Sequence, residues 1–117
     1  MDYVRFKEIN DNRQNFGELT NPTIHSVYKN SVCGDNYKLY LNLENGKIVD
    51  ASYISTGCGF SIVALETLVS LIKNKTIEEA RSLKPENIES VFEFPPRKKY
   101  YPEFVISALN NALDEIV

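Results

Sequence analysis

Across residues 56–61, Thr-Gly-Cys-Gly-Phe-Ser, the chain changes its hydrophobic period. Before this stretch, Tyr37, Leu39, Leu41 and Leu43 alternate with Lys38, Tyr40, Asn42 and Glu44. That is the period of a strand with one buried face. Asn45-Gly46 follows, a two-residue hairpin signal that needs positive φ at both positions, and residues 47–55 return antiparallel. After the stretch, Ile62, Leu65, Val69 and Ile72 recur at helical spacing, and Val63, Leu68 and Leu71 widen the stripe. A helix apolar over so much of its circumference must be buried, and the hairpin before it offers the surface. Residues 23–29, rich in β-branched and aromatic side chains, supply a further strand. The expectation is an α+β fold: a three-stranded antiparallel sheet with helices packed on one face and the other face open to water.

The remaining segments fit around that core. Tyr3, Val4, Phe6 and Ile9 give residues 1–11 a weak amphipathic pattern, read as a short helix. Asn12, Asn15, Gly17, Asn21 and Pro22 mark turns. Ser61 reads as the N-cap of the apolar helix, and Lys73-Asn74-Lys75 as its stop. Thr76-Ile77-Glu78-Glu79 is a capping-box pattern opening a helix through Leu83. Pro85 opens another through Val91. Phe94 to Lys99 reads as an extended linker. From Pro102 a last helix places Val105, Leu109, Ala112 and Ile116 on one face. There is no internal repeat, and residues 1–117 read as one domain.

Composition narrows the function. Of 117 residues, 13 are basic and 16 acidic, with no long like-charge block, so no electrostatic footprint for nucleic acid exists. No apolar run reaches the ~18 residues of a membrane span. The first residues lack the apolar stretch of a signal peptide. The reading is a soluble cytoplasmic protein with no nucleic-acid or membrane partner.

The chain has two cysteines, each beside glycine: Cys33 in Val32-Cys33-Gly34-Asp35, and Cys58 in Gly57-Cys58-Gly59. A reducing compartment disfavours a disulfide, which leaves metal binding, thiol chemistry or a small packed hydrophobe as readings. Cys58 stands at a helix N-terminus, where unpaired N–H groups and the macrodipole favour thiolate, the form that ligates metals and attacks sulfur. Cys33, Asp35 and Cys58 together offer two soft donors and one hard one. Zinc, iron or an iron–sulfur cluster accepts that mixture, although three ligands are one short of a closed tetrahedral site. Taken singly, Asp35 is a turn residue, His25 a surface or packed side chain, and Arg97-Lys98-Lys99 a solvated loop. The seven tyrosines read mostly as core and sheet residues.

The order of these features resembles the iron–sulfur cluster assembly scaffold family of the IscU, SufU and NifU N-terminal type, over nearly the whole chain. Residues 12–17, Asn-Arg-Gln-Asn-Phe-Gly, are similar to the family's Asn-Pro-x-Asn-x-Gly, with arginine for proline. Cys33-Gly34-Asp35, the 44–51 hairpin, Thr56-Gly57-Cys58-Gly59 and the 75–80 segment match in sequence order. The resemblance implies a SufE/IscU-like fold that is not an enzyme. It implies metal ligands at Cys33, Asp35 and Cys58, and a transient iron–sulfur cluster or zinc as the bound group. It also implies a cysteine desulfurase that delivers sulfur as persulfide. Pro95, Pro96 and Lys98 resemble the segment bound by a DnaK-like chaperone, with Arg97 in place of valine. One departure stands out. Tyr100 occupies the position of the family's histidine, and Tyr101 that of its third cysteine. A tyrosine carries no persulfide, and with a pKa near ~10 it ligates at neutral pH only when a metal acidifies it.

Three readings follow. The first is a scaffold-like protein binding iron, a cluster or zinc through Cys33, Asp35 and Cys58. The second is a divergent paralogue acting as a zinc-binding, interaction or regulatory module. The third is a carrier of persulfide sulfur on one of the cysteines.

Overall fold

A computed structural model of the chain describes residues 1–30 and 34–116. Its elements are α1 (Tyr3–Asn12), β1 (Ile24–Asn30), β2 (Asp35–Glu44), β3 (Lys47–Ser55), α2 (Gly59–Ile72), α3 (Ile77–Arg81), α4 (Pro85–Glu89) and α5 (Tyr100–Leu113), with a 3₁₀ turn at Pro96–Lys98. The strands form an antiparallel meander in the order β1-β2-β3. The fold is α+β, as the sequence pattern predicts. Asn45 and Gly46 both take positive φ, 52° and 75°, so the β2–β3 hairpin closes with two residues.

The period-two pattern breaks once, at a bulge between Asn42 and Leu43 where the β2–β3 register shifts. The extra residue lets Ile48 and Ala51 both point inward while Val49 stays exposed. The inner face of the sheet, with Tyr37, Leu39, Leu41, Ala51 and Tyr53, packs with Ile62, Leu65 and Val69 of α2 and Val105 and Leu109 of α5 in one core cluster. α5 also reaches β1, where Asn111 Nδ2 donates to Ser26 Oγ at 2.9 Å.

The chain before β1 guards the sheet. Tyr53 N–H donates to Asn15 O, and Gly17 N–H donates to Tyr53 O, so residues 15–17 pair along the free edge of β3. Ser52 Oγ donates to the Gly17 carbonyl. The outer face is therefore less open than its polar pattern suggests: Tyr40 and Ser52, a cross-strand pair, are both buried there.

Local boundaries differ from the sequence reading in five places. The cap of α2 is Cys58, not Ser61, because helical backbone already begins at Gly59. Ser61 lies buried inside the first turn. Residues 96–98 are a 3₁₀ turn rather than extended linker, since the fixed φ of Pro96 suits a helical turn. α5 begins at Tyr100, two residues before Pro102. Proline is tolerated within the first turn because its missing N–H would find no intrahelical acceptor there. That start places Tyr101 in the opening turn of α5. The capping box at Thr76 forms as predicted: Glu79 N–H donates to Thr76 Oγ1, and Thr76 N–H donates to Glu79 Oε1. Its helix stops at Arg81, and the next one stops at Glu89. Among the described residues no helix is long and apolar enough to cross a membrane.

Candidate functional site

Two loops and one helix start meet at one end of the sheet. β3 ends at Ser55 and α2 begins at Gly59, so residues 56–58 must turn sharply. Cross-strand pairing of Tyr37 with Ser55 brings the first residues of β2 alongside this turn. Gly57 leaves room for what lies next to it. A β-carbon there would overlap the Asp35 carboxylate, lying 2.8 Å from its Cγ. Asp35 thus rests against the residue preceding Cys58. On the other side, Gly59 admits the Phe6 ring of α1, whose Cζ would lie 2.8 Å from a β-carbon.

Cys58 is exposed and is a free thiol. Its Sγ lies 3.0 Å from the hydroxyl of Tyr101 and 4.0 Å from Ser61 Oγ. Ser61 in turn shares a 2.7 Å hydrogen bond with the Tyr37 hydroxyl, to which Asn30 Nδ2 donates at 3.2 Å. A polar chain therefore runs from the Cys58 turn through the buried interior to the end of β1. Burial pushes the Cys58 thiol up. The Tyr101 hydroxyl, the N–H groups of Ser61 and Phe60, and the Ser61 hydroxyl together outweigh that and leave it below the ordinary thiol value.

Tyr101 is held rigidly. It is only 2% exposed, and its ring stacks with Phe60 at 5.9 Å and Tyr100 at 4.8 Å, with Phe104 edge-on at 6.0 Å. The Lys98 ammonium sits 5.4 Å from the Phe60 centroid and 5.9 Å from that of Tyr101.

Of the residues singled out from sequence, Cys58, Asp35 and Tyr101 come together at this end of the sheet. Cys33 lies outside the described residues; Gly34 N–H donates to Asn30 O at 2.8 Å. Among the described residues no three His, Cys, Asp or Glu side chains converge as a metal site. Tyr100 is half-buried against Tyr101. In the 95–98 segment Pro96 and Arg97 are exposed, while Lys98 is turned back over the aromatic pair. His25 is exposed and stacks on Tyr40, as a surface side chain does. Sequence reasoning missed Ser61, Tyr37 and Phe60 as parts of the site. The i, i+3 spacing of Cys58 and Ser61 across a helix start was the available signal.

A second polar cluster fastens the early turn segment. Glu66, buried on α2, accepts from Asn15 N–H and Asn15 Nδ2 and from the Tyr53 hydroxyl. Lys73 donates to Asn15 Oδ1. Asn15 of the 12–17 motif thereby ties the early turn segment to α2.

The geometry can be set beside known proteins. The chain is 36% identical over 88 residues to the "Iron-sulfur cluster assembly protein IscU" of Plasmodium falciparum, covering 75% of this chain and 54% of that protein. It is 38% identical over 82 residues to the "Iron-sulfur cluster assembly enzyme IscU" of Drosophila melanogaster, covering 69% and 53%. The chain thus spans about half the length of these curated relatives. The crystal structure of the SUF-system protein FiSufU from Fervidobacterium islandicum AW-1 superimposes with a TM-score of 0.77 at 21% identity, over 92% of this chain and 93% of that one. The family model described as "NifU-like N terminal domain" matches residues 5–115, and the chain belongs to that family.

Proposed function

We propose that this chain is a scaffold on which iron and sulfide are brought together at the Cys58 turn and later released to recipient proteins. Membership of the NifU-like N-terminal family and relatives named for iron–sulfur cluster assembly support this reading. The observation that carries it is the packing of the Asp35 carboxylate, at the start of β2, against Gly57, the residue before Cys58. Cys33, Asp35 and Cys58 are the ligands in this reading, and the iron–sulfur unit is cargo rather than a resident cofactor. The chain then works by holding and handing on, with a cysteine desulfurase supplying sulfur and the exposed Pro96-Arg97 turn available to a DnaK-like chaperone. Zinc is a competing occupant of the same donors.

Anaerobic incubation with ferrous iron, cysteine and a cysteine desulfurase tests the proposal. The expected result is uptake of both iron and sulfide, with visible charge-transfer absorbance lost in Cys58→Ala. Uptake of neither would overturn it. Stoichiometric zinc lost on Cys58→Ala, with no iron uptake, would favour a zinc-binding module instead.

A further inference from the structure

The described part of the site holds one sulfur and an oxygen closer to it than any other side-chain atom with which it pairs. We propose that the phenol oxygen of Tyr101 is itself an iron ligand, so that the site binds iron through a mixed sulfur and oxygen set. The inference rests on the scaffold reading and names a donor beyond Cys33, Asp35 and Cys58.

Three observations carry it. The first is separation. Donors sharing one tetrahedral ion, with metal–sulfur bonds of ~2.3 Å and metal–oxygen bonds of ~2.0 Å, lie about 3.5 Å apart. Tyr101 Oη and Cys58 Sγ are 3.0 Å apart, so an opening of a few tenths of an ångström admits an ion between them. The second is rigidity. The Tyr101 ring is locked by Phe60, Tyr100 and Phe104, so the oxygen is presented at the sulfur with little ordering left to be done. The third is a further oxygen: the Asp35 carboxylate rests against Gly57, beside the Cys58 turn. A thiolate with two oxygen donors suits ferric iron better than an all-sulfur set, because phenolate and carboxylate are hard ligands. Tyrosine serves iron as an axial ligand in other proteins, so the bond is chemically ordinary.

Ligation replaces the O–H bond of Tyr101 with an O–Fe bond. The released proton goes to solvent, as does the thiol proton of Cys58, and no electron is transferred when the iron is supplied as ferric ion.

The test loads the full chain anaerobically with ferric citrate and records visible and resonance Raman spectra. Wild type should show a phenolate-to-iron charge-transfer band with tyrosinate ring modes. Tyr101→Phe, which keeps the ring and its packing, should lose both while still binding iron. Tyr101→Cys should replace them with thiolate-to-iron bands. Iron-loaded wild type that lacks tyrosinate modes and matches Tyr101→Phe would overturn this inference and leave the scaffold reading standing. Wild type that binds neither ferric iron here nor iron and sulfide in the desulfurase reaction would overturn both.

Discussion

Asn15 holds Glu66 by two hydrogen bonds, from its backbone N–H at 2.8 Å and from its side-chain amide at 3.0 Å, although the two residues are 51 positions apart. Glu66 is buried, and the Tyr53 hydroxyl is its other donor. Asn15→Ala removes the amide donor to Glu66 and the acceptor of Lys73. The expected loss is about 1–3 kcal/mol, the range for hydrogen bonds to charged or buried groups, seen as a lower urea midpoint with an unchanged slope. An unchanged midpoint would mean the turn segment is not fastened through this residue.

Tyr53 also predicts a pH response. Burial, then the neighbouring Glu66 charge and hydrogen bond, push its phenol well above the usual value. In the unfolded chain a tyrosine loses its proton near pH ~10. Above that pH the unfolded state binds fewer protons than the folded one, so stability falls as pH rises. The stabilising contribution is fully present below pH ~10. Tyr53→Phe should flatten this alkaline slope in denaturation curves taken across that range.

Cys58 should react as a thiolate-rich cysteine in the metal-free protein. Its thiol lies below the ordinary value because the hydrogen bonds around Sγ outweigh burial. Tyr101→Phe removes the 3.0 Å partner, so the thiol should titrate at higher pH and alkylate more slowly near neutrality. Iodoacetamide labelling across pH, with mass-spectrometric assignment to Cys58, measures this. An unshifted profile would assign the activation to the helix N–H groups and the Ser61 hydroxyl instead.

Gly57→Ala should separate stability from binding. The added β-carbon meets side-chain atoms, the Asp35 carboxylate and Ser55 Oγ at 3.1 Å, which can move aside. Restricting the unfolded chain offsets part of the crowding, so stability should change by no more than about 1 kcal/mol. Asp35, however, is driven from the turn, and iron uptake should fall. Full iron uptake by a folded Gly57→Ala protein would remove Asp35 from the ligand set.

Much of this protein was legible one element at a time. Alternation in 37–43 and the Asn45-Gly46 pair specify a hairpin within a dozen residues, because side-chain period and turn dihedrals are local properties. Thr76 and Glu79 specify a helix start for the same reason. Gly-Cys-Gly at the joint marked Cys58 as a cysteine at a helix N-terminus, and the structure agrees. The sequence reading erred where two local signals competed. Ser61 is a better capping residue than cysteine, and Pro102 a stronger helix-start signal than tyrosine, yet the backbone turns earlier in both places.

What the sequence by itself determined was the order of strands and helices, the family pattern and the absence of a third sulfur at position 101. What only the tertiary structure decided was the company these residues keep. Tyr101 reaches Cys58 across 43 positions, Ser61 meets Tyr37 across 24, and Glu66 meets Asn15 across 51. No periodicity or turn rule encodes such meetings. They follow from how α2 and α5 settle on the sheet in one close-packed core, where the position of each side chain is set by its neighbours in space.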